Sequence, residues 1–165
     1  MTEIKKAKEM ENSNWKLGAV LVILSILTYL ANYFDVLAVP AIVVSVSLSV
    51  FIGCVAMVQT FCYIDNESFN DNPGTFWFIY SSVNGVIMVC VIYALGMHLI
   101  NEQLSLALLY GISPTLIPSI GVFLGDCGRI IVGRPSVIWG ASTNYFLDNL
   151  CGGYILPHFW YKILV

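Results

Sequence analysis

Long apolar runs are the feature that most constrains how this chain can fold. Short polar breaks carry all the charged residues between Leu17 and Leu124: Asp35, Asp65, Glu67, Asp71 and Glu102. About 20 residues of helix cross the roughly 30 Å of hydrocarbon in a bilayer, so runs of this length are typical of transmembrane helices. The sequence therefore predicts an all-α integral membrane protein.

The polar breaks divide the apolar part of the chain into a four-transmembrane-helix bundle. The predicted spans are residues 17–34, 41–64, 76–100 and 104–124. Pro40 suits the first turn of the second helix, where a backbone N–H has no intrahelical partner. Asp65–Thr75 is rich in Asn, Asp, Pro and Gly, which favour turns, and is predicted to be a loop. Short connections of this kind predict antiparallel neighbouring helices.

The distribution of basic residues predicts the orientation. Four lysines precede the first span, and Arg129 and Arg134 follow the fourth. An even number of spans puts both groups on one side, and Lys and Arg are enriched in cytoplasmic loops. We therefore expect residues 1–16 to form a cytoplasmic tail. The compact chain with almost no loops favours a bacterial inner membrane.

Residues 125–165 are expected to form a cytoplasmic loop followed by an aromatic, apolar segment. Asp148 interrupts that segment, and burying a carboxylate at the centre of a bilayer costs about 3 kcal/mol. An interfacial or re-entrant segment is therefore favoured over a possible fifth span.

Small residues recur at every fourth position of the second span, and they define the α2 ridge: Ala41, Ser45, Ser49 and Gly53. Such ridges let helices approach closely, because association inside lipid depends on packing and interhelical hydrogen bonds. The ridge is either an interface with a partner protein or second copy, or a packing face within the bundle. Gly121 and Gly125 form a shorter example in the fourth span.

Two prolines lie four residues apart in the fourth span, Pro114 and Pro118. Each lacks the N–H that would bond the carbonyl one turn earlier, so a kink is predicted. The freed carbonyls could line a solute or ion site, or they could be satisfied by nearby Ser and Thr or by another helix. Asn84, deep in the third span, is expected to hydrogen-bond across the bundle.

Asp126, Arg129 and Arg134 gather charge after the fourth span. Arginine binds lipid headgroups or phosphate through paired hydrogen bonds, so these residues are candidates for a headgroup or partner contact. The alternative is that the arginines only anchor the topology, with Asp126 and Arg129 paired at i,i+3.

The sequence contains no catalytic motif and no metal-ligand spacing, and it implies no cofactor. Without a basic stripe, nucleic acid is not expected as a partner. We expect contact with membrane lipids and with a membrane protein partner or second copy. The favoured function is protein–protein interaction within the bilayer, as in accessory subunits or immunity and exclusion proteins. The alternatives are a channel or transporter subunit that uses the proline kink and, third, a lipid-modifying enzyme.

Overall fold

A computed structural model describes residues 3–65, 72 and 74–138, and this part of the chain is all-helical. The helices are α1 (Glu3–Tyr33), α2 (Ala38–Phe61), α3 (Thr75–Gly96) and α4 (Glu102–Ile131). All four are long and apolar enough to cross a membrane. For the described residues, the predicted all-α fold with four helices able to span a membrane is therefore confirmed. The aromatic segment from Trp139 onward, predicted to be interfacial, re-entrant or a fifth span, lies outside them.

Two helices are longer than the predicted spans. α1 begins at Glu3, in the predicted tail, and α4 continues to Ile131, past the predicted end at residue 124. Hydropathy places the end of a span where polar residues begin. A helix continues through residues such as Glu, Lys and Ala, because these favour helical backbone. α4 ends in a turn at Gly133, which has φ 77°. The N–H of Arg134 donates to the Arg129 carbonyl there, a common glycine-ended helix terminus.

α3 is shorter than predicted, ending at Gly96 instead of residue 100. The chain turns at His98, which has φ 53°, and the N–H of Leu99 returns to the Ala94 carbonyl. Glycine usually occupies this left-handed position, and histidine is only a weak signal for such a turn.

α4 is the central helix, and it packs against α1, α2 and α3, while α1 also contacts α2 and α3. Glycines on α4 allow the closest approaches. A Cβ added at Gly121 would lie 2.3 Å from the Gly53 carbonyl oxygen of α2, and one added at Gly111 would lie 2.7 Å from the Tyr29 Cβ of α1. Only glycine permits the backbones to come this near.

The described apolar core lies toward one end of the bundle, where α2 ends, α3 begins and α4 ends; we call this the α2–α3 end. Its members come from all four helices, from the chain between α2 and α3 and from the segment after α4: Leu21, Ile52, Ala56, Tyr63, Phe76, Trp77, Phe78, Val122 and Val137. Elsewhere the outward surfaces of the helices carry exposed aliphatic and aromatic side chains. A bundle with this apolar exterior is suited to lipid surroundings.

Candidate functional site at the α2–α3 end

Arg129 lies at the centre of a polar cluster at the α2–α3 end. Its side chain is fully buried, and Nη2 forms an ion pair with Asp65. Nη1 donates to the carbonyls of Phe61, at 3.3 Å, and Tyr63, at 2.7 Å. Nε donates to the Pro135 carbonyl at 3.2 Å. Since the last carbonyls of a helix lack intrahelical donors, Arg129 of α4 caps the C-terminus of α2.

Asp126, one turn earlier on α4, forms hydrogen bonds with the chain that follows the helix. Its carboxylate is buried, and it accepts hydrogen bonds from the Val137 N–H, at 2.7 Å, and from the Ser136 hydroxyl. The turn at Gly133 brings these donors back toward the helix. Asp126 therefore holds the segment after α4 against the bundle.

The expected i,i+3 pair between Asp126 and Arg129 is wrong. Arg129 pairs with Asp65, which is 64 residues away in sequence, while Asp126 is satisfied by the segment after α4. A buried guanidinium is stabilised more when several of its N–H donors have hydrogen-bond acceptors than when it has a single carboxylate partner nearby in sequence. Arg134 is exposed, and its guanidinium carbon lies 5.9 Å from the centroid of the Phe61 ring. Of the three candidate headgroup contacts, Arg134 is the exposed one.

In the α2–α3 connection, of which the structure describes residues 62–65, 72 and 74, Asn72 and Tyr63 make the contacts that hold the backbone in place. Asn72 is buried, donates to the Ile64 carbonyl at 2.9 Å and accepts from the Ile64 N–H at 3.1 Å. The Tyr63 ring packs edge-on against Phe78, with centroids 5.3 Å apart. Burial raises the pKa of the Tyr63 hydroxyl. These contacts fix the backbone whose carbonyls Arg129 caps.

A second network joins α1, α2 and α3 at the same end. The Gln59 side-chain oxygen accepts from the Asn14 side-chain amide at 2.7 Å and from the Trp77 indole N–H at 2.8 Å. Gln59 of α2 therefore ties α1 to the first turn of α3.

Most of the α2 ridge is buried within this chain. Ala41 is half-buried, and the other three members are buried: Ser45, Ser49 and Gly53. Ser45 shares a 2.6 Å hydrogen bond with Thr28 of α1, and Gly53 faces Gly121 of α4. The structure therefore gives the ridge a packing role between α2 and its neighbours.

The two prolines of the predicted kink are fully buried inside α4, which continues through both of them. Pro114 frees the carbonyl of Tyr110, and the Ser113 hydroxyl donates to this carbonyl at 2.8 Å. A neighbouring side chain thus replaces the missing backbone N–H, as is common for prolines in transmembrane helices.

The cross-bundle hydrogen bond predicted for Asn84 is confirmed. Its side-chain amide donates to the Thr115 carbonyl at 3.0 Å and to the Ser119 hydroxyl at 3.1 Å. Asn84 is buried, and its partners lie beside the two prolines. The polar groups near the kink therefore serve the contact between α3 and α4.

Sequence reasoning missed the partner of Arg129 and the network around Gln59. The sequence did contain one signal for the partner of Arg129. No Lys or Arg occurs between Lys16 and Arg129, so Asp65 has no cation close to it in sequence. Gln59 carried a weaker signal, since a polar amide near the end of an apolar span requires partners. In the part of the chain that the structure describes, no three His, Cys, Asp or Glu residues are grouped so as to hold a metal ion.

No family model, curated protein or solved structure matches this chain.

Proposed function

We propose that this chain acts within the bilayer by binding a transmembrane helix of another membrane protein through the outer face of α3. The observation that carries the proposal is the weak burial of α3. In its most apolar 18-residue window, 11% of the residues are buried, against 22–39% in the other three helices. Among the described helices, α3 is thus the one whose apolar stretch is buried least.

The outer face of α3 also has the shape of a helix-packing surface. Gly85 is exposed, and a Cβ added there would meet nothing within 4 Å. Ser82, Val86, Val89 and Tyr93 are exposed at helical spacing around it. A small residue flanked by aliphatic side chains lets a second helix approach closely, and packing of this kind drives helix association in lipid.

The test is site-specific photo-crosslinking in native membranes, with the reactive group placed at Val86 or, as control, at Val22 on the outer surface of α1. We expect a protein adduct from Val86 and lipid adducts from Val22. An adduct of twice the chain mass would identify a second copy and overturn the heterologous partner. Lipid adducts alone at both positions would refute the proposal.

A matched pair of substitutions completes the test. Gly85→Leu adds bulk to the proposed face without an internal clash, so it should abolish the adduct at Val86 without lowering thermal stability. Ala19→Leu makes a comparable change on an exposed position of α1 and should leave the adduct intact. Survival of the adduct in the Gly85 variant would contradict close packing at this face.

The proposed orientation places the N-terminus and the α2–α3 end on the cytoplasmic side of a bacterial inner membrane. The lysines at the start of α1 and the exposed Arg134 support it, since both belong to the same end of the bundle.

The alternatives have less support. A solute path at the proline kink would need free polar groups, whereas Tyr110, Thr115 and Ser119 are engaged in hydrogen bonds within the chain. A lipid-modifying site would need Asp126 and Arg129 to be accessible, and both are buried with internal partners.

A further inference from the structure

We propose that Arg129 is a two-sided clamp through which the α2–α3 connection and the segment after α4 stabilise each other. One guanidinium bonds to both: Nη1 and Nη2 reach Tyr63 and Asp65 on one side, and Nε reaches Pro135 on the other. This coupling is independent of the function proposed above.

On the first side of the clamp, Arg129 supplies the positive charge at the C-terminus of α2. The last turn of α2 contains no basic residue, and the sequence has no Lys or Arg from Leu17 to Gly128. The carbonyl ends of a helix carry partial negative charge, and Asp65 adds a full one. With its side chain fully buried, Arg129 neutralises this end of α2.

The second side of the clamp returns the chain to Arg129. The turn at Gly133 reverses the direction of the backbone, and the Arg134 N–H bonds to the Arg129 carbonyl at 2.9 Å. Asp126 then holds Val137 through its backbone N–H. The Pro135 carbonyl is thereby presented to Nε.

Coupling follows because the guanidinium is rigid and planar and its donors point in fixed directions. Movement of the Pro135 side removes one acceptor from a buried cation, which weakens the geometry of its bonds to the α2–α3 connection. Movement of the α2–α3 connection likewise weakens the bond between Arg129 and Pro135, because a coupling free energy is reciprocal.

The experiment is hydrogen–deuterium exchange of the full chain in lipid nanodiscs, read by mass spectrometry. Gly133→Val perturbs the second side alone, because an L residue at φ 77° is disfavoured by about tenfold and an added Cβ meets nothing within 4 Å. We expect exchange of the amides in residues 61–65 to rise by at least about fivefold, the lower range of typical coupling. The control is Ile131→Ala, a neighbouring position that is 84% exposed, and it should leave this exchange unchanged.

The reverse arm perturbs the first side with Asp65→Asn, a partly exposed position that keeps the backbone acceptors of Arg129. Exchange at Val137 and Ile138 should rise. Local acceleration confined to the mutated side, in either variant, would overturn the clamp. If Gly133→Val fails to fold, the Asp65 variant decides alone: an unchanged rate at Val137 and Ile138 refutes the coupling.

Discussion

The crossing of α2 and α4 at Gly121 allows a quantitative prediction. In Gly121→Ala, the new Cβ would lie 2.3 Å from the Gly53 carbonyl oxygen and 2.9 Å from its carbonyl carbon. Ordinary van der Waals contact begins at 3.4 Å, so the two backbones must separate by about 1 Å. Neither atom belongs to a flexible side chain that could move aside.

The cost can be worked from this displacement. A gap of 0.5–1 Å forfeits about a quarter to a half of the dispersion energy of each contact it opens, and overpacking of a well-packed interface typically costs about 1–3 kcal/mol. We therefore expect Gly121→Ala to lower the free energy of unfolding by about 2 kcal/mol. At about 2–4 °C per kcal/mol for a chain of this size, the melting temperature should fall by about 5 °C.

The assay is thermal unfolding in detergent micelles, restricted to the monodisperse fraction from size-exclusion chromatography. Gly85→Ala is the matched control, since it is the same substitution within a helix at a position where a Cβ meets nothing within 4 Å. It should be neutral or stabilising by up to about 1 kcal/mol through helix propensity. Equal melting temperatures for the two variants would refute the close crossing of α2 and α4.

Three further predictions test other parts of the fold. Asn84→Leu should lower the free energy of unfolding by about 1 kcal/mol through loss of its hydrogen bonds to α4, whereas Ser82→Leu, on the exposed face, should not; denaturant titration distinguishes them. His98→Gly should raise the free energy of unfolding by about 1 kcal/mol, because glycine adopts the left-handed conformation at this helix end without strain. An unchanged or lower melting temperature would contradict the turn. In the proposed orientation, an impermeant maleimide applied to intact cells should spare the native Cys62 and label a cysteine introduced at Glu102, and the opposite pattern would reverse the topology.

The sequence predicted the four helices well because insertion into lipid depends on local apolarity. It did not predict where they end. The start of α1 at Glu3 and the end of α4 at Ile131 lie in polar sequence, where backbone hydrogen bonds and helix propensity continue the helix after hydropathy has fallen. The turn at His98 uses a residue type that signals a helix end less strongly than glycine does.

The contacts of the candidate site were harder to predict, since most join residues far apart in the chain. The spacing of Gly53 on α2 and of Gly121 and Gly125 on α4 indicated two small-residue faces, but not that they face each other. Arg129 has a possible partner at i−3, and only the folded chain brings the more distant Asp65 to it. Rules for ion pairs within a helix consider only residues close in sequence, whereas a buried cation pairs with whichever acceptor the fold brings next to it.

The extension of α1 beyond the rest of the bundle affects how its lysines sense the lipid surface. From Lys16 back to Lys6 the helix rises by about 15 Å, at about 1.5 Å per residue. Attraction to anionic headgroups decays over a Debye length of about 8 Å at physiological ionic strength. If α1 leaves the membrane perpendicular to its plane, Lys16 therefore lies close enough to the headgroups to anchor the helix electrostatically. The lysines nearer the N-terminus then lie farther out in the aqueous phase, where the salt concentration determines how strongly the membrane surface attracts them.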